Sequence, residues 1–519
     1  MARLRLSLTI PGAVSLGAYE GGALAALIVA AKTLGEETML IDSIAAASAG
    51  SITALLTARS LLRSVDPVDL LKAAWVENVS FQAMKTDSTD APLSSGALSE
   101  MATKVLGHGG IPEGEQTTWQ REPVLVSMAL TSLAGLTYKL AVLAGHTTVD
   151  AATFLDWYQV TLTNAVGSDG YLDHAQAAIA SGSNAIGFPA KQLNRLADKA
   201  QYDQAGLIGF PEDGLFWYTD GGTVDNEPLG RTIDLAQEVA SDDQRLFLLI
   251  HPDPAFPMSP PSPVWGGDAP LPPWARTGTH AFSIGRDQSI YEDLLRLEKT
   301  NSRLEWIGTV APAVASGIDA GIRDANLSDD QANRLRGSLA GALGQALREV
   351  RGAQEDVAVL ANRHAVDRGG DDTSDWTTIL DTLVRAASGL EERDQIRVEV
   401  VSPTVDPSVT EPPSQQLAGA FFFHFGGFFD IKFRQSDFAL GYRNMRYWLT
   451  RSLGGYLQGV DLSDALEQVD RRYQQLGWDQ IRWGGAQLGT LSRREKWSLY
   501  RLGLHVGHVI VHDVVHGGA

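Results

Sequence analysis

A serine among small residues, Ala46-Ala47-Ser48-Ala49-Gly50, and an aspartate ahead of two glycines, Asp220-Gly221-Gly222, are the residues of this chain best suited to acyl transfer. A serine hydroxyl is a weak nucleophile until a positioned base takes its proton. It must also stand on a tight strand-to-helix turn, between neighbours small enough for the backbone to crowd. Ala46 two residues before Ser48, Ala49 one after and Gly50 two after meet that demand. A helix opening at Gly50 would aim its N-terminal amides and positive dipole end at the hydroxyl, favouring developing negative charge. Gly221 and Gly222 let the chain turn sharply and leave the Asp220 carboxylate at a strand end, where open α/β sheets place their ligands. Each segment alone has a plainer reading. Small residues around a serine at a helix start make an N-cap, and an aspartate before glycines makes an Asx turn.

The third component is the loop Gly12-Ala13-Val14-Ser15-Leu16-Gly17, which opens the first helix pattern. A glycine-containing loop between a strand and a helix presents free backbone N–H groups, which suits an oxyanion. Nucleophile, base and oxyanion donors are then all present. The same loop fails two nucleotide-binding tests: it lacks the central glycine of G-x-G-x-x-G, and no Gly-Lys-Ser/Thr follows it.

The elements that must position these residues alternate. Arg3–Ile10 reads as a strand, followed by a helix with Leu24, Leu27, Ile28 and Ala31 on one side. Met39–Ala45 reads as a second strand, and the next helix, carrying Ile52, Leu55, Leu56 and Leu62, ends before Asp66-Pro67. Val124–Thr131, Leu215–Thr219, Leu246–Ile250 and Ile396–Val401 read as further strands. Strands separated by helix patterns predict an α/β fold with a largely parallel sheet. Between them, His251–Arg276 is a Pro-rich loop holding Phe256, Trp265 and Trp274, either a lid or a stiffened surface excursion. Helices are expected from about Ile318 to Asn362, with Ser328 and Gln331 spaced as a capping box, and Asp367–Ser374 reads as a loop. The tail opens with Phe421-Phe422-Phe423-His424-Phe425 and Phe428-Phe429, before a helix pattern over Tyr442–Leu453. That aromatic run suits an active-site wall or a membrane contact, or the packing of the tail onto the sheet.

Composition narrows the partners. With 42 basic against 62 acidic side chains, the chain has a formal charge of -20. Such a surface repels nucleic acid and anionic headgroups, so a membrane would have to be met by apolar contact. The absence of cysteine excludes disulfides and thiolate chemistry. The N-terminus alternates like a strand and is too short and polar for a signal peptide, and the longest apolar stretch, Val124–Tyr138, is interrupted by Ser and Thr. A cytoplasmic protein is expected.

The ordered segments Gly12–Gly17 with Gly17-Ala-Tyr-Glu-Gly-Gly-Ala-Leu24, then Ala46–Gly50, then Asp220-Gly221-Gly222 with Asn226 and Pro228, resemble the signature of the patatin-like phospholipase family. Ala180-Ser181 through Phe188-Pro189 is similar to the segment that precedes the acid in that family. The resemblance implies an α/β three-layer fold with a largely parallel central sheet, helical insertions and a C-terminal extension. It implies a Ser–Asp dyad, Ser48 as nucleophile and Asp220 as general base, flanked by the elbow residues Ala46, Ala49 and Gly50 and the acid-loop residues Gly221 and Gly222. It also implies an oxyanion hole from the amides along Gly12, Ala13, Val14, Ser15, Leu16 and Gly17. The reaction would be hydrolysis of fatty acyl esters of phospholipids or related lipids through an acyl-serine, with no cofactor and no metal. The hydrolase domain would run over 1–402 with a helical insertion at about 310–395, and residues 403–519 would pack on it. The chain departs from the family pattern twice: Ala46 replaces the first glycine of G-x-S-x-G, and Leu16 stands where Arg or Lys is typical.

Three other readings compete. His251 follows a strand, so Ser48, Asp220 and His251 have the chain order of an α/β-hydrolase triad. His505, His508 and His512 share a helical face, with His516 beyond, and could ligate zinc. A fold does not fix a substrate, so a non-catalytic lipid-binding scaffold and a soluble esterase or thioesterase on small acyl groups remain alternatives.

Overall fold

The computed structural model describes residues 3–107, 119–143, 147–185, 187–239, 241, 243–253, 274–351 and 396–516. Strand β1 (Leu4–Ile10) is buried at every residue, as expected of a parallel strand covered on both faces. Its alternation sorts the layers. Leu4, Leu6, Leu8 and Ile10 enter the main core, whereas Thr9 points the other way and hydrogen-bonds Thr232 at 2.7 Å.

β1 pairs in parallel with β2 (Met39–Ala46) and β8 (Gln244–Ile250). β2 continues in parallel to β3 (Val124–Leu143), and β8 to β9 (Val398–Val401). β3 also pairs antiparallel with β4 (Thr147–Leu162), β6 (Leu207–Ile208) and β7 (Leu215–Asp220), and β5 (Lys191–Asn194) closes the edge against β7. The sheet is mixed and mostly parallel. The core face carries α1 (Gly17–Leu34), α2 (Ala49–Leu62), α3 (Gly96–Leu106) and α4 (Ser168–Ser181). Helix α5 (Leu229–Glu238), which holds Thr232, covers the opposite face. This is the expected three-layer α/β arrangement.

Helix α1 is apolar all round and almost wholly buried. Among the described residues, the segment Val14–Leu34 alone is long and apolar enough to cross a membrane, and 94% of its most apolar window is buried inside the protein. What covers it comes from far along the chain. Helix α8 (Ile431–Arg451) crosses α1 so closely that a Cβ on Gly22 would lie 1.9 Å from the Phe438 carbonyl oxygen, and one on Gly441 2.0 Å from that of Tyr19. Helix α9 (Ser463–Leu476) packs beside them, and α10 (Arg493–His516) ends the described chain.

The chain divides into two units, 1–291 with 398–519, and 292–397. Helix α6 (Trp274–Asp324) and α7 (Asp329–Arg351) supply the described helices of the smaller unit. There the Ser328 and Gln331 side chains each accept the other's backbone amide, at 3.4 and 3.0 Å, the reciprocal capping box. Helix α6 begins well before the expected Ile318, and its early turns carry no single apolar stripe to announce them: Ile284, Tyr291 and Trp306 are all exposed. Strand β3 likewise outruns the expected Val124–Thr131, and β4 was not anticipated. Beyond Thr131 the hairpin leaves Leu133, Leu140, Val149 and Phe154 exposed, so no buried face imprints an alternation. Most of the Pro-rich loop (254–273) and the Asp367–Ser374 loop lie outside the described residues.

Candidate active site

One edge of β3 is taken by β4 along its length; the other is shared by β2 and β7, running toward each other. β2 ends with Ala46 opposite Met128, and β7 ends with Asp220 opposite Leu130. The turns leaving the two strands therefore meet head-on. Ser48 Oγ donates to Asp220 Oδ2 at 3.1 Å, and the two residues are 3% and 2% exposed.

Ser48 occupies a conformation that L-residues rarely adopt, φ 50° and ψ −126°, of the kind that costs roughly 1–3 kcal/mol and persists only when its surroundings hold it. It stands at the N-cap of α2, yet its side chain makes no capping bond. The hydroxyl is turned to Asp220 instead. The Ser48 amide is held by Ser181 Oγ at 2.9 Å, and Ser181 in turn meets Ser51 Oγ at 2.8 Å. Gly50 is required by the crowding of the turn on β1, since a Cβ there would fall 2.3 Å from the Ile10 carbonyl oxygen. Ala46 and Ala49 are buried, and the Ala46 methyl belongs to the main core.

Asp220 forms the expected Asx turn as well: Oδ1 accepts the Gly222 amide at 2.8 Å, which leaves Oδ2 for Ser48. Both readings of this residue coexist. Its own amide donates to the Ser183 carbonyl at 3.0 Å, and Thr131 Oγ1 donates to its carbonyl at 2.8 Å. A Cβ on Gly221 would sit 2.0 Å from the Ala129 carbonyl oxygen, so the acid loop presses on β3 as closely as backbone can.

Residues 8–233 match the family model of patatin-like phospholipases. The chain carries a patatin-like domain. No curated protein matches the chain. The family is one of lipid acyl hydrolases.

Of the six loop residues in the patatin-like domain, four have their amides engaged. Gly12 donates to the Asn226 carbonyl at 3.1 Å, Ser15 to that of His424 at 3.1 Å, Leu16 to Ala13, and Gly17 to Val14 and Ser15. Ala13 and Val14 are left with amides that bond nothing among the described residues. Val14 has φ 52°. The Leu16 side chain, at the usually basic position, is buried with Leu417 and Leu440 from the C-terminal part.

The aromatic run joins the main core, the one built on the sheet, through Phe425 and Phe428. It packs on Phe81, whose ring centroid lies 4.5 Å from that of Phe429, and on the Gly12–Gly17 loop. Phe422, Phe423 and His424 form three consecutive left-handed residues, and this turn grips Ser15. The Ser15 hydroxyl donates to the His424 carbonyl, and the Gly427 amide donates to Ser15 Oγ at 2.9 Å. Five of the seven non-glycine residues with positive φ among the described residues, Val14, Ser48 and Phe422 to His424, belong to the three turns that carry or clamp the site. Strain of this kind gathers at functional sites.

His251 meets neither Ser48 nor Asp220. Its Nδ1 accepts the Asp253 amide at 3.1 Å, so Nε2 carries the proton and donates to Glu227 Oε1 at 2.9 Å. Asn226 Nδ2 also donates to Glu227 Oε1, and Asp253 Oδ2 lies 3.4 Å from His424 Nε2. These bonds make a chain from Gly12 through Asn226, Glu227, His251, Asp253 and His424 back to Ser15. It holds the oxyanion-candidate loop at both ends. Among the described residues no group of three or more His, Asp or Glu converges as a metal site, His505, His508 and His512 included. Ser181, Ser183, Thr131 and the clamp were not legible as site residues; only the likeness of Ala180–Pro189 to a family segment pointed at the first two.

Proposed function

We propose that the protein is a serine acyl hydrolase cleaving fatty acyl esters of phospholipids or related lipids, with Ser48 as nucleophile and Asp220 as base. The observation that carries this reading is the 3.1 Å bond from Ser48 Oγ to Asp220 Oδ2, made by a strained serine that forgoes its helix cap. Asp220 takes the hydroxyl proton as Oγ attacks the ester carbonyl carbon. The tetrahedral oxyanion is met by the Ala13 and Val14 amides and by the N-terminal end of α2. Collapse breaks the ester C–O bond, Asp220 returns its proton to the leaving alcohol, and an acyl-Ser48 remains. Water then repeats the sequence and releases the fatty acid. No histidine is needed, because the carboxylate is already hydrogen-bonded to the nucleophile. Exposed apolar side chains such as Phe423 and Trp497 offer the contact with lipid that a strongly acidic surface does not.

The test is reaction of the intact chain with a fluorophosphonate probe, mapped by mass spectrometry. Labelling at Ser48, lost in Ser48→Ala, is expected; full activity of Ser48→Ala on acyl esters would refute the assignment. The formal charge of -20 favours a second reading, a soluble esterase on short acyl groups. Preference for acetyl over long-chain esters would select it.

A further inference from the structure

Away from Ser48, the larger unit holds a cavity of about 530 Å³, inside the range of about 300–1,000 Å³ usual for small-molecule sites. One side is apolar, formed by Phe81, Leu93, Phe428 and Phe429. The other is a face of α10, which turns Arg494, Ser498, Arg501, Leu502 and His505 to the cavity at helical spacing. Lys85 adds a third cation from the segment after the short helix Phe81–Met84.

The lining carries three cations, Lys85, Arg494 and Arg501, and three carboxylates, Asp87, Asp430 and Glu495, and the two sets are engaged differently. The side chains of Lys85, Arg494 and Arg501 make no ion pair or hydrogen bond among the described residues. His505 Nε2 is buried with no partner. Of the lining carboxylates, Asp430 is held by Lys432 at 2.9 Å and meets the Glu495 side chain, Glu495 accepts the Ser492 amide, and Asp87 is exposed, as Arg494 and Arg501 are. A protein of charge -20 repels free anions in general. An anion that binds here must therefore combine a small head for these cations with an apolar body for the phenylalanines.

We infer that this cavity binds the anion of a long-chain fatty acid, its carboxylate among Arg494, Arg501 and His505 and its chain along Phe81, Phe428 and Phe429. Binding needs no chemistry at Ser48, so the inference stands apart from the proposed reaction. The fatty acid could be drawn from solution or released at Ser48, and the two sources are separable.

The experiment is calorimetric titration of the full chain carrying Ser48→Ala with oleate, below its micelle concentration. One-to-one binding is expected, because the added fatty acid needs no turnover. Arg494→Gln with Arg501→Gln should weaken it tenfold or more; both arginines are exposed, so the fold has no reason to change. Leu502→Trp should narrow the cavity and weaken binding, and oleyl alcohol, lacking the carboxylate, should bind at least tenfold more weakly than oleate. Absence of oleate binding, unchanged affinity in the double arginine variant, or equal affinity for the alcohol would each overturn the inference. If binding appears only in chains with active Ser48 incubated with ester, the released product alone reaches the cavity, and the inference fails for free fatty acid.

Discussion

Ala46 and Asp220 end their strands two residues apart on the same edge of β3, against Met128 and Leu130. The gap between the serine turn and the acid is thus set by the backbone repeat of a third strand. A site mounted on rigid strands holds its geometry better than one mounted on loops.

Asp220→Asn keeps an acceptor for the Gly222 amide but removes the base. We expect kcat to fall by at least about 10²–10⁴-fold, with a melting temperature close to that of the parent. Steady-state kinetics on a chromogenic acyl ester, paired with a thermal melt, separates the two effects. Near-full activity would mean the proton leaves by another route.

Gly50→Ala and Gly221→Ala place a methyl 2.3 and 2.0 Å from backbone oxygens that cannot step aside. Overpacking typically costs about 1–3 kcal/mol, and here both clashes fall on the site, so stability and activity should drop together. Ala46→Gly makes the contrast. It restores the usual glycine and should leave activity within a few-fold, losing roughly 0.5–1 kcal/mol through strand entropy.

His251 acts through Glu227 and Asp253 on the loop that carries Ala13 and Val14. His251→Phe should lower kcat by up to about 100-fold, the effect of a misplacement near 1 Å, while KM changes little. His251→Gln keeps a donor for Glu227 and should recover part of the loss. A uniform fall in stability with kcat intact would mark the residue as merely structural.

Two fully buried carboxyls, Asp437 on α8 and Glu20 on α1, give stability an unusual pH slope. Burial pushes the Asp437 carboxyl up to about 7, against the pull of hydrogen bonds from the Ala418 and Gly419 amides. Burial likewise raises Glu20, whose Oε1 has no partner and whose Oε2 accepts a 3.4 Å bond from Thr53. A folded-state pKa above the unfolded one means the folded chain holds the proton more tightly. The stabilisation is complete below the ordinary value of 3.8 for Asp437 and is lost as pH rises to about 7. Glu20→Gln, which stays neutral, should flatten part of the fall in melting temperature between pH 4 and 8; identical slopes in both proteins would sink the idea.

Much of this was legible because the site hangs on short, regular elements. β1, β2, β7 and β8 showed as apolar runs, and the turns after the first three carried small residues. What could not be read is what depends on distant contacts. Nothing in Phe422-Phe423-His424 announces a left-handed turn, since non-glycine residues enter that region only when tertiary packing compels them. Leu16 gave no sign that its partners were Leu417 and Leu440. The β3–β4 hairpin escaped notice for the opposite reason: solvent on its far half leaves no imprint on residue choice.

The crossing of α1 by α8 also fixes when the protein can finish folding. Between Leu34 and Ile431 lie roughly 400 residues, which a ribosome moving at about 5–20 residues per second adds in about 20–80 s. Throughout that interval α1, apolar on every side, lacks the part of its cover that α8 and α9 supply. To the targeting and chaperone machinery of a cell it presents the features of a membrane segment, and the chain must be shielded until its last third arrives.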